Sequence, residues 1–292
     1  MGRVLEPLQY DFFVRGLIAA TVVGALCGLI GVYIVLRKMS YIGHGLSHAV
    51  FGGAVVSYLM AFNFYVGASI WGFASALLIN ATTRRHRFIA ADAAIGIITT
   101  ASFALGVALI SRYRTFTRSF DAALFGNILG VTEKDLLAIA AVTAMTFLLI
   151  LGTYKRLLFT TFDPEVAPFY GVRTEWIDTM FSLILAGTIV VSMQVMGVTL
   201  IAAAIVIPPI TARLLTNNFS RLMALSVIIG ALCGLVGMYI SYYADVSSGA
   251  NIVLVSAGAF AAAMAYSSLR KRLATARGLA THLPALDNPL YD

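Results

Sequence analysis

Long uninterrupted apolar runs dominate this chain, and their length limits what it can become. Nine of them follow one another, at residues 12–36, 41–62, 64–82, 89–111, 135–154, 176–197, 198–212, 221–243 and 251–268. A helix needs about 20 residues to cross the hydrocarbon core of a bilayer, and most of the runs are of that size. The seventh is short and contains Pro208-Pro209, which reads as a broken or re-entrant segment. Eight or nine spans are therefore expected. A transmembrane barrel would need segments of about ten residues alternating apolar and polar, whereas residues 98–110 are apolar on both parities. Only 11% of the 292 residues are charged and 60% are hydrophobic, against roughly 25% charged in an ordinary soluble domain. The expectation is an all-α polytopic membrane protein: one transmembrane domain over residues 1–268 and a polar cytoplasmic tail over 269–292.

The net charge of +7 does not point to nucleic acid, because the basic residues gather at span ends. Arg37-Lys38, Arg84-Arg85-His86-Arg87, Lys155-Arg156, Arg213, Arg221 and Arg270-Lys271-Arg272 flank alternate turns, which the positive-inside rule places in the cytoplasm. Arg112, Arg114 and Arg118 fall on an outer loop in this scheme, so the side of the N-terminus stays open. No cationic segment with a short apolar core and a cleavage site precedes the first run, so no cleaved signal peptide is expected. Cys27 and Cys233 lie inside spans, where a thiol behaves as a small hydrophobe.

Two of the four histidines, His44 and His48, occupy positions i and i+4 of the second run. On a helix both side chains stand on one face about 6 Å apart, within joint reach of one ion. The neighbouring stripe Gly45, Ala49, Gly53 and Ser57 is small and can press against another helix. Ionisable groups at membrane depth are costly and mark pathways. Metal ligation, proton relay and plain hydrogen bonding to a neighbouring helix are the three readings of the pair. Asp92 is either part of an ion pathway or an N-cap, Asp245 either an outer cation attractor or a solvated turn residue, and Gln194 lies inside a span.

The loop Asp163-Pro164-Glu165-Val166-Ala167-Pro168-Phe169-Tyr170-Gly171-Val172 has an N-cap candidate, an early proline and a closing glycine, the signals of a short helix. It is either a connector or a docking element for another protein. Residues 24–34 and 230–240 echo one another as GALCGLIGVYI and GALCGLVGMYI, which close helix packing and an internal repeat explain equally well. No glycine precedes any of the lysines as a P-loop requires, and no HExxH or nucleophile-elbow motif is present, so neither ATP binding of that kind nor an enzyme is expected.

Five stretches taken together resemble the permease subunits of ABC importers for divalent metals, the zinc, manganese and iron chelate class. They are MSYIGHGLSHAV at 39–50, DAAIGI at 92–97, LFGNILG at 124–130, IPPITARLL at 207–215 and YISYYADV at 239–246. The resemblance implies a permease of the metal/cobalamin-like type in the bacterial cytoplasmic (inner) membrane, with no tightly bound cofactor. It also implies a second permease protomer, identical or a sister chain, ATP hydrolysis on separate cytoplasmic ATPase subunits, and an extracytoplasmic solute-binding protein that delivers the ion. Residues 163–172 match the segment that couples ATPase and pore in that family, and His44 and His48 match its ion site. The first of those two positions is usually aspartate there; an imidazole instead shifts preference from manganese toward zinc or ferrous iron. A proton-coupled secondary metal transporter and an ABC permease for a siderophore or cobalamin chelate are the rival readings.

Overall fold

A computed structural model of the chain describes residues 5–60, 63–85, 90–113 and 124–276. His86, Arg87, Arg114, Arg118, His282 and the tail beyond Ala276 lie outside the described residues. Nine α-helices appear among the described residues: α1 Asp11–Leu36, α2 Ser40–Leu59, α3 Phe64–Arg85, α4 Ala91–Tyr113, α5 Glu133–Phe162, α6 Thr174–Met196, α7 Ile201–Leu215, α8 Phe219–Ala244 and α9 Ser248–Ala276. Seven are long and apolar enough to cross a membrane. The other two are α2, whose apolar character is diluted by its histidines, glycines and serines, and α7, whose 15 residues extend only about 22 Å.

The ends of α1, α3, α5, α7 and α9 and the starts of α2, α4, α6 and α8 meet at one face, where Arg37, Arg84, Arg156, Arg173, Arg213 and Arg221 lie. That face is cytoplasmic, which puts Asp11 on the outer side. Helices α1 and α6 bury most of their apolar length in the protein, while α4, α5 and α9 leave most of theirs on the surface.

Close packing in lipid depends on small residues at helix crossings, and here they come in matched sets. Helices α1 and α8 run antiparallel with Gly24 against Gly230, Gly28 against Ser226 and Gly234 against Ala20. The two helices that carry the echoing segments are thus neighbours, although the segments themselves meet only where Gly24 and Gly230 cross. Ser226 adds a hydrogen bond to the Gly28 carbonyl at 2.7 Å. The stripe on α2 works similarly: Gly45 abuts Ile95 and Thr99 of α4, while Gly53 and Ser57 abut Trp71 and Gly67 of α3.

Three boundaries differ from the sequence reading. Helix α7 is one continuous helix through Pro208 and Pro209 rather than a broken segment. Proline 209 displaces the carbonyl of Ile205, four residues earlier, and Gly31 of α1, lacking a side chain, leaves room for that carbonyl and for the proline ring. Helix α5 runs on through Lys155-Arg156 to Phe162, since long basic side chains reach the interface from within a helix. Helix α9 likewise continues past Arg270 to Ala276.

The outer end is closed by the LFGNILG stretch. Gly126 and Gly197 both adopt positive φ, at 81° and 76°, and approach too closely for any side chain. Around them, the Asn127 N–H donates to the Gln194 carbonyl at 3.0 Å and the Thr199 hydroxyl to the Leu124 carbonyl at 2.8 Å.

Candidate metal pathway

Helix α2 begins at the cytoplasmic face, so His44 stands in its second turn and His48 one turn deeper. Their rings meet edge to face, with centroids 4.7 Å apart and planes at 87°. On its other side the His48 ring touches Phe103 of α4, at 4.7 Å. The His48 Nδ1 is enclosed and has no hydrogen-bond partner among the described residues, whereas His44 lies exposed on the protomer surface beside the Tyr41 ring. A shielded imidazole nitrogen left unpaired is costly unless something completes it. Among the described residues no cluster of three or more His, Cys, Asp or Glu could hold a metal. The protomer therefore offers two touching imidazole rings, of which His44 lies on the open surface and His48 is half-buried beneath it.

The other residues singled out from sequence do not join this pair. Asp92 sits exposed in the first turn of α4, where it faces the positive end of the helix, and the first helical bond is accepted by the Ala90 carbonyl; Asp92 is not an N-cap. Asp245 is exposed and ends α8 in the left-handed conformation at φ 53°, the turn role that aspartate tolerates. Gln194 is half-buried at the outer end of α6, and its backbone carbonyl seats Asn127.

At the cytoplasmic face, residues 163–172 form a turn followed by a short 3-10 helix, Ala167–Tyr170, rather than an α-helix. Asp163 closes α5 instead of capping a new helix: its N–H donates to the Phe159 carbonyl and its own carbonyl accepts from Ala167. Gly171, at φ 77°, ends the segment. Ala167 is buried as its anchor, and Tyr170 leans on Phe159 with ring centroids 5.6 Å apart. Phe169 is 89% exposed, an apolar knob that no described residue covers.

A clamp that sequence reasoning missed holds this segment in place. Arg37, at the end of α1, donates to Thr161 and Thr160 of α5 at 3.0 and 2.8 Å and to Asp178 of α6 at 2.8 Å. Its guanidinium also lies over the Phe181 ring at 5.0 Å. In sequence it reads only as a positive-inside marker, because its partners are more than a hundred residues away.

Fold and site define a class: a multi-pass helical membrane protein with a paired-imidazole ridge and a presented cytoplasmic segment. The family follows from comparison with known proteins. Residues 9–267 match the ABC 3 transport family, and the chain belongs to that family, as a permease subunit of a divalent metal-ion ABC importer in the bacterial cytoplasmic membrane. It is 38% identical over 262 residues, 90% of this chain and 89% of the other, to the "Manganese transport system membrane protein MntC" of Halalkalibacterium halodurans. It is 35% identical over 269 residues, 92% of this chain and 98% of the other, to a Haemophilus influenzae "Probable iron transport system membrane protein". Among solved structures, PsaBC from Streptococcus pneumoniae in complex with Fab superposes with a TM-score of 0.82 at 33% identity, covering 90% of this chain and 94% of that one.

Proposed function

We propose that this permease passes a divalent transition metal ion inward, with His44 and His48 as its ligands in transit. The observation that carries the reading is the ring pair itself: two imidazoles in contact, one with an enclosed unpartnered nitrogen and one open to the outside of the protomer. A second permease protomer placing its own pair opposite would bring four nitrogens around one ion, a set suited to borderline metals. Imidazole donors favour ferrous iron or zinc over manganese, and a relative's name carries iron. Phe169 and Tyr170 give separate ATPase subunits an aromatic knob to grip, and an extracytoplasmic binding protein supplies the ion at the outer face.

The test is uptake of radioactive iron, zinc and manganese into vesicles. With the ATPase present, wild-type uptake requires ATP, and His44→Ala with His48→Ala abolishes it. Metal movement by this chain alone, driven by a proton gradient, would instead establish the secondary-transporter reading. Intact uptake of a metal chelate by the double alanine variant would establish the chelate reading.

A further inference from the structure

The flank formed by α3, α5 and α6 carries two adjoining cavities that the metal pathway does not use. The first is an apolar groove of about 490 Å³, with Phe73 of α3, Val142 and Leu149 of α5, and Met180 and Val190 of α6 among its walls. The second, of about 370 Å³, opens at the cytoplasmic end and is lined by Arg156, Arg173, Gly171, Val172 and Ile177. Trp176, 53% exposed, lines both.

Helical spacing makes them one feature. Ala138, Val142, Met145 and Leu149 line the groove on α5 at intervals of three and four residues, and Gly152 and Arg156 continue the same stripe toward the cytoplasm. A side chain added at Gly152 would meet nothing within 4 Å, so the path from groove to arginine is open. On α6 the corresponding line runs from Arg173 through Trp176, Met180 and Gly187 to Val191. Arg37 and Arg84 each have a carboxylate partner. Arg156 and Arg173, both exposed, have none among the described residues.

We propose that this flank binds one anionic phospholipid of the cytoplasmic leaflet, its phosphate on Arg156 and Arg173 and an acyl chain in the groove. A free phosphate satisfies the arginines and leaves the groove empty; an apolar helix fills the groove and puts no negative charge at its mouth. A charged lipid answers both, and it explains a tryptophan at the boundary, where such rings anchor at the headgroup level. The groove lies along helices of transmembrane length, enough for the roughly 15 Å of chain in one leaflet. Juxtamembrane arginines on the cytoplasmic side are the usual partners of anionic headgroups.

The test uses the full chain in nanodiscs of phosphatidylcholine containing brominated phosphatidylglycerol or, at equal mole fraction, brominated phosphatidylcholine. Quenching of Trp176 is read after subtracting the Trp176→Phe variant, which reports the other tryptophan, Trp71. The expected result is about tenfold tighter apparent binding of phosphatidylglycerol, lost in Arg156→Gln with Arg173→Gln. Either single substitution gives an intermediate preference, a readout that remains if the double variant folds poorly. Gly187→Leu, whose Cβ meets Phe73 and Val142 only at an ordinary contact distance of 3.9 Å and whose remaining atoms fill the groove, lowers quenching by both lipids. Equal quenching by the two lipids in the wild type, or a preference that survives loss of both arginines, overturns the proposal. A preference abolished by millimolar inorganic phosphate overturns it in favour of a simple anion site.

Discussion

At the scale of single residues, His44 and His48 differ in surroundings although they share a helix face. His48 is wedged between His44 and Phe103 with an enclosed nitrogen, whereas His44 is open. His44 is thus the position where the donor can be exchanged without repacking the protomer. His44→Asp replaces a nitrogen donor by a hard oxygen and raises manganese uptake relative to iron and zinc, measured by competition in vesicles containing the complete transporter. An unchanged order of preference would show that His44 does not touch the ion. This pairing was legible in sequence, because spacing of four on a helix dictates a shared face whatever the fold. Arg37 was not, since nothing local distinguishes an arginine that marks the cytoplasmic side from one whose fork reaches Thr160, Thr161 and Asp178.

At the scale of elements, the fold rests on crossings that exclude side chains and on a clamp that fixes helix ends. Gly230 faces the Gly24 backbone, so Gly230→Val forces α1 and α8 apart and costs about 1–3 kcal/mol, read as a lower thermal midpoint in detergent. Gly258, with open space around its added side chain, is the control and tolerates Ala. Arg37 is 8% exposed and its partner Asp178 44%, so Arg37→Ala removes charge-assisted bonds that are only partly replaced by water and costs about 1.5–3 kcal/mol. Its functional signature is ATP hydrolysis that continues while uptake falls, because α1 no longer holds α5 and α6 on either side of the presented segment. Arg37→Lys keeps one ion pair and restores little, lacking the planar fork. The span positions were readable from hydropathy, but continuity of α7 through two prolines was not: it depends on the space left by Gly31 in another helix.

At the scale of the whole molecule, the proposed function makes the chain one half of a pathway and one part of a driven machine. Of the candidate ligand pair His44 is the exposed member, and Phe169 projects from the cytoplasmic segment. Phe169→Ala leaves the thermal midpoint unchanged, since the ring is 89% exposed, and weakens association with the ATPase subunit by about 2 kcal/mol or more, measured by titration in nanodiscs. Family membership was legible because five ordered motifs agreed; the ion's identity was not, because one imidazole in place of a carboxylate changes the donor set but not the fold. X-ray absorption spectroscopy of the metal-loaded complex reads the ion's donor atoms themselves. Imidazole scattering with nitrogens at about 2.0–2.1 Å for zinc, lost in the His44→Ala, His48→Ala variant, is the predicted result. An oxygen-only shell, or a spectrum that the double variant leaves unaltered, would contradict it.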